Sequence, residues 1–93
     1  LYHSQRQYDS AIVMIQRAIR LDPSKGKTYF QLACSYALSN QPEQAIRYLE
    51  QAYQRGYKNT DNLLNDPDLS GLKDMKGYQD LLDKYAPGWR DKH

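Results

Sequence analysis

Ninety-three residues, with 13 basic against 11 acidic side chains and a net charge of +2, make one small domain and leave no room for a second independent core. Without a block of like charge the chain lacks the electrostatic footprint of a nucleic-acid binder, and no apolar run approaches the roughly 18 residues of a membrane span. Cys34 is the single cysteine, so an internal disulfide is excluded and cytoplasm and periplasm both stay open for a soluble chain.

In chain order, the first element is a helix over residues 8–21. Apolar positions recur there with helical spacing at Ala11, Ile12, Ile15, Ala18 and Ile19, a narrow seam partly built of alanine. Asp22-Pro23 stops it, since proline cannot continue a helix and disfavours helix in its predecessor. After a loop around residues 24–26, a second helix carries Tyr29, Leu32, Ala33, Tyr36 and Ala37 on one side, and Asn40-Gln41-Pro42 breaks it. Pro42 suits the first turn of a third helix over residues 42–55, and Gly56 stands where a left-handed C-terminal cap belongs.

The first and third helices are near copies. Residues 7–23, QYDSAIVMIQRAIRLDP, return 34 positions later as residues 41–57, QPEQAIRYLEQAYQRGY. The pairs Ala11 with Ala45, Ile12 with Ile46, Ile15 with Leu49 and Ala18 with Ala52 fall in register, while polar residues between them drift. A period of this length marks stacked supersecondary units, none of which buries its apolar face alone. Ala33 and Ala45 are expected where two helices touch, and Ile12, Ile15, Ile46 and Leu49 between hairpins.

Tyr29, Leu32, Ala33 and Tyr36, followed by Ala45, Leu49 and Ala52, resemble the tetratricopeptide repeat pattern, with Tyr29 in place of the usual tryptophan and Ala33 in place of glycine. The resemblance implies an all-α fold of antiparallel helix hairpins in a right-handed solenoid. It divides residues 1–57 into one and two-thirds repeats, a truncated one over 1–23, in which Tyr2 ends a first helix, and a second over 26–57. The second repeat departs from the pattern by ending in Gly56-Tyr57 where a proline is usual. The start at Leu1 without methionine and without a leader fits a processed chain or a piece of a longer protein.

Residues 58–85 do not repeat again. Thr60 is expected to cap a short helix, Asp66 to cap another with Pro67 in its first turn, and residues 77–85 to form a last helix. The segment resembles the one that follows the last repeat in many bacterial members of the family. As a cap it would cover the stack with Leu63, Leu64, Leu69, Leu72, Tyr78 and Leu81. Residues 86–93 are expected to fray, with Trp89 able to fold back.

Chemistry-bearing constellations are weak. Asp66, Asp68, Ser70 and Asp74 place oxygens like a calcium loop, but Gly77 stands where a bidentate glutamate belongs, and no cluster has zinc-ligand spacing. Neither metal nor cofactor is expected. Cys34, His3 and His93 form no nucleophile-base pair with a glycine-rich elbow, so no enzyme is expected. Most of the nine tyrosines, including Tyr2, Tyr29, Tyr36, Tyr48, Tyr78 and Tyr85, fall on apolar faces and read as core.

What remains is a protein-binding surface. The resemblance places Lys27, Phe30, Gln31, Cys34, Ala37 and Leu38 on a concave face, flanked by His3 and Ser4. Phe30 reads either as an exposed anchor for a peptide or partner helix, or as a ring packed on a neighbouring repeat or the cap. Lys27 matches one position of the carboxylate clamp found in some members, but Gln31 and Cys34 do not supply its asparagine or arginine. A structural end-piece of a longer array, able to form a homo-dimer through its N-terminal end, is the alternative.

Overall fold

The computed structural model describes the backbone of residues 2–89 and the side chains of residues 8–89. Its elements are α1 (Tyr2–Leu21), α2 (Gly26–Leu38), α3 (Pro42–Gln54), α4 (Thr60–Asn65), a 3₁₀ helix (Pro67–Leu72) and α5 (Lys76–Tyr85), with no strand among the described residues. The helices pack as antiparallel pairs. α1 begins at Tyr2, six residues before the start at residue 8 expected from the sequence, so Tyr2 opens this helix and does not end a separate one.

The α2–α3 pair follows from small residues and two helix terminators. Ala33, Ala45 and Ala52 are all fully buried, and their single methyl groups let the two backbones approach where added methylenes would overpack. Two residues past the end of α2, Asn40 turns the chain with a φ of 64°, a left-handed conformation that asparagine tolerates better than most residues. The Gln41 N–H then donates to the Tyr36 carbonyl at 2.9 Å and the Asn40 N–H to the Ala37 carbonyl at 3.2 Å, the pairing of a Schellman cap. α3 is closed the same way by Gly56, two residues past its end, φ 93°, with Tyr57 N–H on the Ala52 carbonyl and Gly56 N–H on the Tyr53 carbonyl, each at 3.0 Å.

Gly26 brings the start of α2 against the end of α3. A Cβ there would lie 2.7 Å from the Ala52 carbonyl oxygen and 2.9 Å from the Tyr57 nitrogen, so the close approach requires glycine.

The core runs from α2 through α3 into the C-terminal segment. Leu32, Leu49, Leu63 and Leu82 are fully buried, with Leu64, Leu69, Leu72, Tyr78 and Leu81 nearly so, each leucine worth roughly 1.5–3 kcal/mol of burial. The 3₁₀ helix lies on α2, and α5 lies on α3. Asp66 opens the 3₁₀ helix, its Oδ1 accepting the Asp68 N–H at 2.9 Å, as its sequence position leads one to expect. α4 differs in one respect, because Asn59 and not Thr60 is its cap: Asn59 Oδ1 accepts the Asn62 N–H at 3.2 Å. The Thr60 hydroxyl pairs instead with the Tyr53 hydroxyl at 2.9 Å.

α1 covers only one side of itself. Ile12 is buried, Ile15 and Ile19 half-buried, but Ala18, placed on the seam by its spacing, is exposed. No described element lies over the face that carries it.

Candidate functional site

α2 has two buried faces, which is why the adjacent residues Tyr29 and Phe30 are both buried. Tyr29 faces α3, stacking with Tyr48 at 6.5 Å between ring centroids beneath the Arg55 guanidinium, 4.3 Å from its ring centre. Phe30 faces the other way. The Schellman turn at Gly56 delivers the next residue, Tyr57, onto it, and the two rings stack at 4.8 Å with 8° between their planes. The reading of Phe30 as an exposed anchor is therefore corrected: the ring is 7% exposed because Tyr57, remote in sequence, lies over it.

This stack forms the floor of a cleft of about 510 Å³ lined by Gly26, Lys27, Phe30, Gln31, Arg55, Gly56, Tyr57, Lys58, Asn59 and Asn62. No carboxylate is among its lining residues. Arg55 is committed to structure, its Nε donating to the Pro23 carbonyl at 2.8 Å. Tyr57 is held by donating its hydroxyl to the Asn59 carbonyl at 3.0 Å, and burial raises its pKa above the usual phenol range while the Asn62 side chain works against that shift. The side chains of Lys27, Gln31 and Lys58 are exposed. The cleft thus offers two exposed ammonium groups and several amides around a stacked aromatic floor.

Of the residues that the family resemblance puts on a concave face, Lys27, Phe30 and Gln31 meet in this cleft. Cys34, Ala37 and Leu38 do not line it. Leu38 is 39% exposed, Ala37 is half-buried, and Cys34 is buried against the capped turn of the 3₁₀ helix. His3 and Ser4 lie outside the described side chains. Arg55, Tyr57, Lys58, Asn59 and Asn62 escaped the sequence reading. The signal that pointed to them was the replacement of the usual proline by Gly56-Tyr57, whose consequence depends on a stack across 27 positions of sequence, from Phe30 to Tyr57.

Cys34, Asp66 and Asp68 also come together, with their ligand atoms within 4.8 Å of one another. The arrangement already has an internal use. Asp66 Oδ1 caps the 3₁₀ helix, and its Oδ2 accepts from the Cys34 thiol at 3.8 Å. Burial first, then the charges of Asp66 and Asp68, push the Cys34 pKa up to about 12, so at neutral pH the sulfur keeps its proton. A protonated, enclosed thiol is a poor nucleophile and a poor metal ligand. Burial also raises the Asp68 carboxyl above its usual range, helped by Asp66 beside it.

No described helix is long and apolar enough to cross a membrane. Sequence comparison finds tetratricopeptide repeat models matching residues 14–47 and residues 1–25. Among curated proteins, the chain is similar to a chloroplastic protein of Arabidopsis thaliana, with 26% identity over 82 residues covering 85% of this chain. The chain spans only 24% of the length of that relative. No solved structure matches the chain.

Proposed function

The chain belongs to the tetratricopeptide repeat family, whose repeats imply a protein-protein interaction module, and from that premise we propose that its cleft holds an extended peptide carrying acidic side chains. The observation that carries this reading is the pairing of a rigid apolar floor, Phe30 on Tyr57, with the side chains of Lys27, Gln31 and Lys58, which make no hydrogen bond or ion pair among the described residues. An aliphatic side chain would lie on the rings and a carboxylate would meet Lys27 or Lys58, a division of apolar contact and polar orientation common to peptide sites. The reaction chemistry available is slight, since the family's repeats are typically non-catalytic and the one thiol is held protonated.

Selection of a displayed random-peptide library tests the proposal. Peptides with acidic residues next to an aliphatic one should be enriched on the unaltered chain and lost from a Lys27→Glu, Lys58→Glu variant. Both lysines are exposed, so this variant should keep its circular dichroism spectrum. Enrichment of the same peptides by both proteins would sink the reading.

A second reading is supported by the burial of Cys34 against Asp66 and by the packing of the 3₁₀ helix on α2. The C-terminal segment covers one side of α2 in the way a following repeat would, which suits a closing unit of a longer array. The two readings are compatible, because the cleft lies at the edge of the covered region.

A further inference from the structure

The C-terminal segment holds a cavity of about 140 Å³ lined by Leu64, Lys73, Tyr78 and Trp89. Lys73 is exposed, which sets it at the rim, and the other three make apolar walls. Among the described residues, one buried side-chain oxygen or nitrogen pairs with nothing, and it belongs to a residue of this wall: the hydroxyl of Tyr78, a side chain that is 0% exposed. A buried tyrosine hydroxyl usually finds a partner, because leaving it unpaired costs its full desolvation. The Tyr53 hydroxyl is already committed to Thr60 at 2.9 Å. Burial first, and then Tyr53, push the Tyr78 pKa up to about 12, so at neutral pH the oxygen keeps a proton for which the chain supplies no acceptor.

We propose that this cavity binds a small neutral molecule, a single apolar ring carrying one carbonyl oxygen, and that this oxygen accepts a hydrogen bond from the Tyr78 hydroxyl. The volume suits one six-membered ring, being close to that of an apolar cavity able to hold benzene. The walls select for neutrality. An anion would lose its hydration against Leu64 and two aromatic rings, and a single hydroxyl does not replace it. A hydrocarbon would fill the space and leave the hydroxyl unpaired, whereas a carbonyl supplies the acceptor and brings no donor of its own. Trp89 is the movable wall. Half-buried, it stands edge-on to Tyr78 at 6.5 Å between centroids, tied by an exposed bond from its Nε1–H to Asp83 Oδ1. Entry of the ligand displaces the indole edge from Tyr78, so the one tryptophan of the chain reports occupancy. The cavity shares no lining residue with the cleft, and its occupancy is independent of the peptide reading given above.

The test titrates the whole chain with cyclohexanone and with methylenecyclohexane, a molecule of the same shape in which a CH₂ group replaces the oxygen, and follows both by NMR. Saturable shifts of the Leu64 methyl groups and of the Trp89 indole N–H are expected at millimolar ketone. Tyr78→Phe keeps the ring and deletes only the unpaired hydroxyl, so the variant should melt no lower than the parent. In it the ratio of ketone affinity to hydrocarbon affinity should fall about fivefold, the equivalent of one hydrogen bond. Absence of saturable shifts up to tens of millimolar ketone, as when an ordered water holds the site, would overturn the proposal. Shifts confined to other residues, or an affinity ratio unchanged by Tyr78→Phe, would do the same. So would a Tyr78→Phe protein that melts well below the parent, since the hydroxyl would then have a partner within the chain.

Discussion

Phe30 and Tyr57 are joined by no local pattern, yet their stack decides the character of the cleft. A buried phenylalanine cut back to alanine loses transfer free energy and leaves a cavity, together about 3–5 kcal/mol. A domain of this length has only roughly 5–15 kcal/mol of stability in all. Phe30→Ala should therefore lower the thermal midpoint by more than about 10 °C, and any loss of peptide binding should accompany loss of the native state. Tyr57→Phe, which keeps the ring and gives up the hydroxyl bond to the Asn59 carbonyl, should leave the fold nearly as stable. Thermal melts of the two variants side by side check this, and a Phe30→Ala protein that melted like the parent would show that the ring is not part of the core.

At the scale of elements, α4 is the case in which neighbouring residues exchanged roles. Six residues cannot hold a helix by propensity, so α4 depends on its cap and on the burial of Leu63 and Leu64. The Asn59 side chain supplies the cap, whereas Thr60 ties the helix to α3 through Tyr53. Replacing Asn59 by alanine should cost about 1 kcal/mol, and replacing Thr60 a similar amount through its half-buried hydroxyl bond. The two losses separate in a Tyr53→Phe background. There the cost of Thr60→Ala should vanish, because its partner is gone, and that of Asn59→Ala should persist. Urea titration of the three single and two double variants reads this directly, and a Thr60 effect unchanged by Tyr53→Phe would return the cap to Thr60.

Across the whole molecule, what the sequence made legible and what it hid divide along contact range. The three repeat helices, their stops at Asp22-Pro23, Asn40 and Gly56, and the alanine seam of α2 and α3 are local, and helical spacing is enough to find them. Ala18 carries the same spacing and is exposed, because burial depends on an opposing surface that periodicity does not contain. The cleft was half legible: Lys27, Phe30 and Gln31 share a helix face, but Tyr57, Lys58, Asn59 and Asn62 reach it only through the turn at Gly56. That turn also makes the C-terminal segment part of one continuous core with α2 and α3, which has a consequence for unfolding. Repeat stacks can open unit by unit when each contacts only its neighbour, whereas a shared core of this size favours one cooperative transition. Trp89 reports on the far end, standing edge-on to Tyr78 at 6.5 Å between centroids with its Nε1–H donated to Asp83 Oδ1 at 2.8 Å. Far-ultraviolet circular dichroism reports mainly on the three long helices. Leu69→Ala, in the 3₁₀ helix and costing about 2–5 kcal/mol, should shift the urea midpoints of both signals equally. If the Trp89 signal moved alone, residues 58–89 would be a separable unit, and Cys34 would then be uncovered before the repeat helices melt.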